Sequence, residues 1–168
     1  NELIELEKLK NVSAFTVIAE AKKGKIPTRV NHQLIYGGVS ENNSLKSSIN
    51  VSLTNKDVFV PKHKKGFVWG QIINHKEYNS KIGFCCKSSE GKKDKIKVDF
   101  YNSNGYVKSI KEELNPKKSL ILSANQIFKN AKKFDFYWYV ASCERFDLSA
   151  YSVHVNKLSQ NSSGEHNF

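Results

Sequence analysis

Short segments in which apolar and polar residues alternate recur along this sequence at a spacing of about ten residues. Val98, for example, stands between Lys97 and Asp99, and Phe100 follows. Because successive side chains of a β-strand point to opposite faces of the sheet, a period of two predicts strands with one buried face. About nine or ten such segments, with no long helical pattern between them, predict an all-β fold. We expect a single antiparallel β-sandwich, jelly-roll or Ig-like, or a barrel.

The 168 residues suit one domain, and the predicted sandwich occupies residues 13–160. In residues 1–12, the stretch NELIELEKLK has leucines every three residues and acidic side chains before basic ones, which predicts a short amphipathic N-terminal helix. Residues 161–168 are predicted to form a polar C-terminal tail. No apolar run approaches the roughly 20 residues that a membrane-spanning helix needs, so we expect no transmembrane segment.

Two segments give more detailed predictions. In KIKVDFYNSNGYVKSI, residues 95–110, Asn104-Gly105 is typical of a type I′ turn that joins hairpin strands near 96–101 and 106–110. In GFVWGQII, residues 66–73, both faces are apolar, which predicts a central strand or one covered on both sides.

The stretch KFDFYWYVASC, residues 133–143, is the richest in aromatic side chains. Period two places Tyr137 and Tyr139 on one face, and the opposite face carries Phe134, Phe136, Trp138 and Val140. We expect the face with Phe134, Phe136, Trp138 and Val140 to form the core. The two tyrosines would then form a surface for stacking on sugar rings, bases or lipid headgroups, unless that face is covered as well.

Lysines supply the other candidate binding residues. The chain has a formal net charge of +11, but its 27 basic residues include only two arginines, Arg29 and Arg145. Since bidentate recognition of phosphate or guanine uses the arginine fork, this composition weakens a nucleic-acid interpretation. Lysine clusters lie at predicted turns and would gather into a basic rim at the ends of a sandwich. From them we take Lys64, Lys65 and Lys133 as ligand-binding candidates alongside the tyrosines.

No sequence motif is typical of a particular catalytic reaction, so we expect that the protein is not an enzyme and binds no cofactor. The five histidines lack the spacing of metal ligands, which predicts no metal site. Cys85 and Cys86 are adjacent and unsuited to bridging each other, although Cys143 could bridge either one in an oxidising compartment. A Cys143–His154 nucleophile pair would require their strands to be neighbours. We expect structural cysteines instead.

These features favour a non-enzymatic recognition or structural module. Its expected partners are a glycan, an anionic or cell surface, or the other proteins of a larger particle. The alternative is a nucleic-acid-binding protein that uses the lysine-rich rim. Methionine is absent even at position 1, which favours a mature secreted or surface-associated protein or a domain trimmed from a longer chain.

Overall fold

The computed structural model describes residues 23–24, 33–36, 47–50, 66–86, 92–129, 135–145 and 148–167. Over these residues the regular elements are β1 Gln33–Tyr36, β2 Ser47–Asn50, β3 Gly66–Asn74, β4 Tyr78–Cys86, β5 Asp94–Asn102, β6 Gly105–Leu114, β7 Leu120–Ser123, α1 Ala124–Ile127, β8 Asp135–Cys143, β9 Leu148–Asn156 and β10 Ser162–Asn167. The predicted all-β sandwich is confirmed. The predicted helix in residues 1–12 lies outside the described residues.

Two antiparallel four-stranded sheets face each other. The first sheet has the strand order β3-β8-β5-β6, and the second sheet has the order β10-β9-β4-β7. β1 and β2 form a separate antiparallel pair. From β3 to β10, only the β5–β6 and β9–β10 connections stay within one sheet, so every other connection carries the chain across the core. The crossings hold the two sheets together.

The core follows the predicted alternation where the two faces of a strand differ strongly in polarity. On β5, Ile96, Val98 and Phe100 are fully buried, as predicted, while Lys95 and Lys97, which alternate with them, are exposed. On β4, Ile82 and Phe84 are fully buried against them. Burying apolar surface is the dominant favourable term in folding, so a strand with one charged face has only one stable orientation.

The predicted hairpin between β5 and β6 is confirmed, but its turn type is wrong. Asn102 pairs with Gly105, so the two loop residues are Ser103 and Asn104. Of these four residues only Gly105 has a positive φ, at 102°, whereas a type I′ turn needs two. Asn102 Oδ1 accepts a hydrogen bond from Asn104 N at 2.9 Å, which stabilises the turn ahead of the left-handed glycine.

Two further predictions are corrected. β3 is an edge strand of the first sheet and not a central one. Its composition predicted cover on both faces, but its outer face is exposed. The predicted C-terminal tail instead forms β10, so the sandwich continues past residue 160 to Asn167. Asn167 is buried because its side chain finds partners across the core, which local composition does not reveal. No helix in the described part of the chain is long and apolar enough to cross a membrane.

Candidate functional site

The outer face of the first sheet exposes large apolar side chains on its two neighbouring strands β3 and β8. Phe67 is 65% exposed, Trp69 49%, Trp138 41% and Val140 40%. Trp69 lies directly opposite Val140, and Gln71 lies opposite Trp138. The two tryptophans are therefore diagonal neighbours, which at roughly 7–8 Å apart lie within reach of a single ligand. Soluble proteins seldom expose a contiguous apolar patch of this kind unless it is a site of interaction with a ligand or partner.

The aromatic surface continues across the sheet. Trp138 pairs with Tyr101 on β5, and Tyr101 pairs with Tyr106 on β6. The Tyr101 and Tyr106 rings meet edge to face with centroids 5.8 Å apart, and Phe136 meets Trp138 in the same way at 5.7 Å. Each of these four rings contacts a neighbouring ring. The aromatic face, as we call this surface, consists of Phe67, Trp69, Tyr101, Tyr106, Phe136 and Trp138.

The orientation predicted for β8 is wrong. Tyr137 is 8% exposed and Tyr139 fully buried, whereas Trp138 and Val140 point outward and Phe136 is only partly buried. The reason is that the interior satisfies the tyrosine hydroxyls. Tyr139 Oη accepts a hydrogen bond from Asn167 Nδ2 at 2.6 Å, and its ring packs edge to face on Phe84 at 5.5 Å. Since buried hydroxyls need partners, these contacts make the tyrosine face suitable for the core.

The lysines predicted to accompany the tyrosines are not among the described residues: Lys64, Lys65 and Lys133 all lie outside them. Other predicted clusters are described. Lys92 and Lys93 precede β5, and Lys117 and Lys118 follow β6. Because Asp94 pairs with Leu114, both clusters lie at the same end of the first sheet. The position of these four lysines at one end of the sheet is consistent with part of the predicted basic rim.

Sequence analysis missed Phe67 and Trp69 as candidate site residues. They alternate with Gly66, Val68 and Gly70, which point inward. Gly66 and Gly70 lie on one face of the strand, and the two aromatic residues between them lie on the other, a pattern that signals a close packing partner on the glycine side. That pattern could have identified the outward face.

A polar corner borders the aromatic face on β5 and β6. Asp99 lies opposite Val140 on one side and Ser109 on the other. Its Oδ2 accepts a hydrogen bond from Lys97 Nζ at 2.8 Å. Partial burial acts to raise the pKa of Asp99, but the interactions with Lys97 and Ser109 outweigh it and hold the pKa below its ordinary value. Asp99 is therefore ionised at neutral pH.

A pocket of about 340 Å³ opens where α1 approaches the ends of β3 and β8. Its wall includes the Phe128 and Tyr137 rings, which stack with centroids 3.9 Å apart, together with Asp135 and Asn74. Tyr137 donates a hydrogen bond to Asp135 Oδ2 at 3.4 Å. Asn74 Oδ1 has no hydrogen-bond partner among the described residues, but this atom is buried. The pocket is thus a weaker candidate than the aromatic face.

The cysteines are buried or partly buried thiols and form no disulfide. Cys143 donates to Asp94 Oδ2 at 3.3 Å. Burial raises the pKa of Cys86 to about 12, with smaller contributions from the nearby Cys143, Cys85 and Asp94. The condition for a Cys143–His154 pair is not met, because β8 and β9 belong to different sheets. Within the described residues, no cluster of three His, Cys, Asp or Glu side chains is arranged to hold a metal ion.

Comparison with known proteins adds little. No family model matches the sequence, and no curated protein matches it. The chain is similar to a solved structure, the crystal structure of Thermotoga maritima 1070, with 18% identity over 62% of this chain and 91% of that chain, and a TM-score of 0.49.

Proposed function

We propose that this protein is a non-enzymatic recognition module that binds glycans through the aromatic face. The observation that carries the proposal is the exposure of Trp69 and Trp138 as diagonal neighbours on two hydrogen-bonded strands. Sugar rings have apolar C–H faces that stack on indole rings, while their hydroxyls need hydrogen-bond partners at the edges. Gln71 and Ser142 stand on the same outer face, beside the exposed aromatic side chains, and supply such partners.

The position of the rings supports the proposal further. All six residues of the aromatic face lie on strands, and the β-sheet fixes their separation before a ligand arrives. A rigid site loses less conformational entropy on binding than a flexible loop would. The outward-facing residues of β3 and β8 are uncharged, so this part of the aromatic face carries no charge that would attract ions.

The proposal is tested by affinity electrophoresis through gels that contain neutral polysaccharides, followed by calorimetry on those that retard the protein. Trp138→Ala and Trp69→Ala should each weaken binding about tenfold, which corresponds to about 1.4 kcal/mol. The matched control is Leu158→Ala, which removes an apolar side chain that is 78% exposed in the turn between β9 and β10. It should leave binding unchanged, and all three variants should melt close to the parent.

Absence of retardation by every polysaccharide, or equal affinities for the tryptophan variants and the parent, would overturn the proposal. The alternative function, nucleic-acid binding, rests on the lysines that gather beside Asp94 and Leu114. It predicts retention on phosphocellulose that falls steeply with salt. Lys117→Gln with Lys118→Gln would reduce that retention and leave polysaccharide binding unchanged.

A further inference from the structure

One row of outward-facing residues crosses all four strands of the first sheet. Gln71 on β3 lies opposite Trp138 on β8. Trp138 lies opposite Tyr101 on β5, and Tyr101 lies opposite Tyr106 on β6. We call these four residues the cross-strand row, and Trp69 stands beside its β3 end as the diagonal neighbour of Trp138. Neighbouring strands lie about 4.8 Å apart, so four strands span about 14 Å, the length of roughly three sugar residues in an extended chain.

The cross-strand row combines aromatic rings with hydrogen-bonding groups. Tyr101 and Tyr106 carry hydroxyls and Gln71 carries a carboxamide, whereas Phe67 and Phe136, elsewhere on the aromatic face, have no polar side-chain atom. Each sugar residue presents apolar C–H groups and several hydroxyls, so it needs both kinds of contact. The row is also uncharged along its whole length. A neutral glycan therefore finds both kinds of contact within this one row.

The rings of the aromatic face do not lie in one plane. The Tyr101 and Tyr106 rings are inclined to each other by 72°, and the Phe136 and Trp138 rings by 76°. Neighbouring strands of a sheet are also rotated by roughly 20–25° relative to one another, so the row itself twists. The flat surface of a crystalline polymer cannot contact successive rings that are arranged in this way. A single soluble chain can, because rotation about its glycosidic bonds lets each sugar residue turn separately.

We infer that the aromatic face binds a single, soluble, neutral glycan chain, which lies across the strands and contacts the cross-strand row with roughly three or four consecutive sugar residues. This inference rests on the proposed function and specifies its ligand class. A site for one terminal sugar would not need contact groups on four strands. A site for a crystalline polymer would need coplanar rings.

Chain length is the first variable of the test. Soluble starch, dextran, mixed-linkage β-glucan and glucomannan are the probes, and each one that retards the protein is cut by partial acid hydrolysis into fragments graded from monosaccharides to octasaccharides. Calorimetry measures the affinity of each fragment. The affinity should rise about tenfold from the disaccharide to the tetrasaccharide and then level off, because longer fragments extend beyond the sheet. Equal affinities of the monosaccharide and the tetrasaccharide would overturn the inference.

The direction of the chain is the second variable. Tyr106 and Phe67 are similarly exposed, at 61% and 65%, but Tyr106 ends the cross-strand row on β6, whereas Phe67 lies two outward positions before Gln71 on β3. Tyr106→Ala should weaken tetrasaccharide binding several-fold more than disaccharide binding, since a disaccharide can bind over Trp138 alone. Phe67→Ala should weaken tetrasaccharide binding by less than Tyr106→Ala does. The reverse order would mean that the chain runs along β3, which contradicts the inference.

The matched control is Ile121→Ala. It removes an apolar side chain that is 56% exposed on β7, in the second sheet. Its affinities for the disaccharide and the tetrasaccharide should equal those of the parent. A loss of binding as large as that of Tyr106→Ala would show that the effect does not come from the cross-strand row, and would overturn the inference. Melting curves of all variants check that each one is folded.

Insoluble polymers and the oligomeric state separate the remaining outcomes. Tighter binding to microcrystalline cellulose than to the soluble chains, abolished by Trp138→Ala, refutes the single-chain inference and leaves glycan recognition standing. If no probe shows binding that depends on Trp138, the proposed function fails and the inference fails with it. If sedimentation velocity finds a dimer that Trp138→Ala dissociates, the aromatic face is an interface between two copies of this chain, and both proposals fail.

Discussion

Asn167, in the last strand, donates a hydrogen bond from Nδ2 to the hydroxyl of Tyr139, in the centre of the opposite sheet, at 2.6 Å. The same nitrogen donates to Ser152 Oγ at 2.6 Å, and Ser152 in turn donates to the backbone oxygen of Gln71 at 2.7 Å. This chain of polar groups crosses the core from β10 through β9 to β8 and β3. It fixes which face of β8 is buried, and so which aromatic side chains reach solvent.

Removing the Tyr139 hydroxyl should destabilise the protein. Tyr139→Phe leaves the buried amide of Asn167 short of an acceptor, which costs about 1–3 kcal/mol in the free energy of unfolding. Chemical denaturation measures this change. Tyr106→Phe is the control, because Tyr106 is 61% exposed and its hydroxyl can be replaced by water. If the two variants were equally stable, the polar chain would not contribute to stability.

Gly70 provides the space that Asn167 occupies. A Cβ at position 70 would lie 2.6 Å from Asn167 Oδ1 and 2.7 Å from Nδ2. Because both hydrogen bonds of Asn167 would have to break for it to move, Gly70→Ala should destabilise the fold by about 1–3 kcal/mol. Gly83→Ala is the matched control, since a Cβ there meets nothing within 4 Å.

A double-mutant cycle locates the cause of the Gly70→Ala effect. Asn167→Ala removes the carboxamide, so in that background Gly70→Ala should cost less than it does in the parent. Additive effects of the two substitutions would mean that they act independently. The clash with Asn167 would then not be the cause.

His154 should make the protein less stable in acid. The side chain is 6% exposed, and burial lowers the pKa of His154 below its ordinary value of 6.5. The unfolded chain therefore takes up the proton first. The contribution of neutral His154 is complete above about pH 6.5 and is lost as the pH falls below that value toward the folded pKa.

Replacing His154 tests this dependence. His154→Leu should be close to neutral at pH 7, because Nδ1 has no hydrogen-bond partner among the described residues that the substitution would strand. The free energy of unfolding of this variant, measured by urea titration, should fall less steeply below pH 6.5 than that of the parent. An unchanged pH profile would show that another group is responsible.

The three cysteines should resist alkylation in the folded protein. Burial raises the pKa of Cys85 and Cys86, and only thiolates react quickly. Cys143 is 1% exposed and engaged by Asp94. Mass spectrometry after iodoacetamide treatment at pH 8 should find little modification in the native protein and three modified cysteines in denaturant. Rapid native labelling of Cys143 would instead identify a reactive nucleophile.

The period of the strands was readable from the sequence, and so was their burial wherever one face is charged. β5 could be assigned because Lys95 and Lys97 alternate with Ile96 and Val98, so only the orientation that buries the apolar face and leaves the lysines in water is stable. The β5–β6 hairpin was equally local, since Asn104 lies in the short loop between the two strands and Gly105 begins the second strand. These features depend on residues within a few positions of one another.

The orientation of β8 depended on residues that are distant in the chain. Period two groups Tyr137 with Tyr139 and Phe136 with Trp138, but both faces are aromatic, so hydrophobicity does not rank them. The choice rests on Asn167, 28 positions beyond Tyr139, and on the space beside Gly70. Burial of a hydroxyl is favourable only when it has a hydrogen-bond partner, and only the packing of the two sheets brings that partner into place. The tertiary structure therefore decided that Trp69 and Trp138, and not the tyrosines, form the exposed surface.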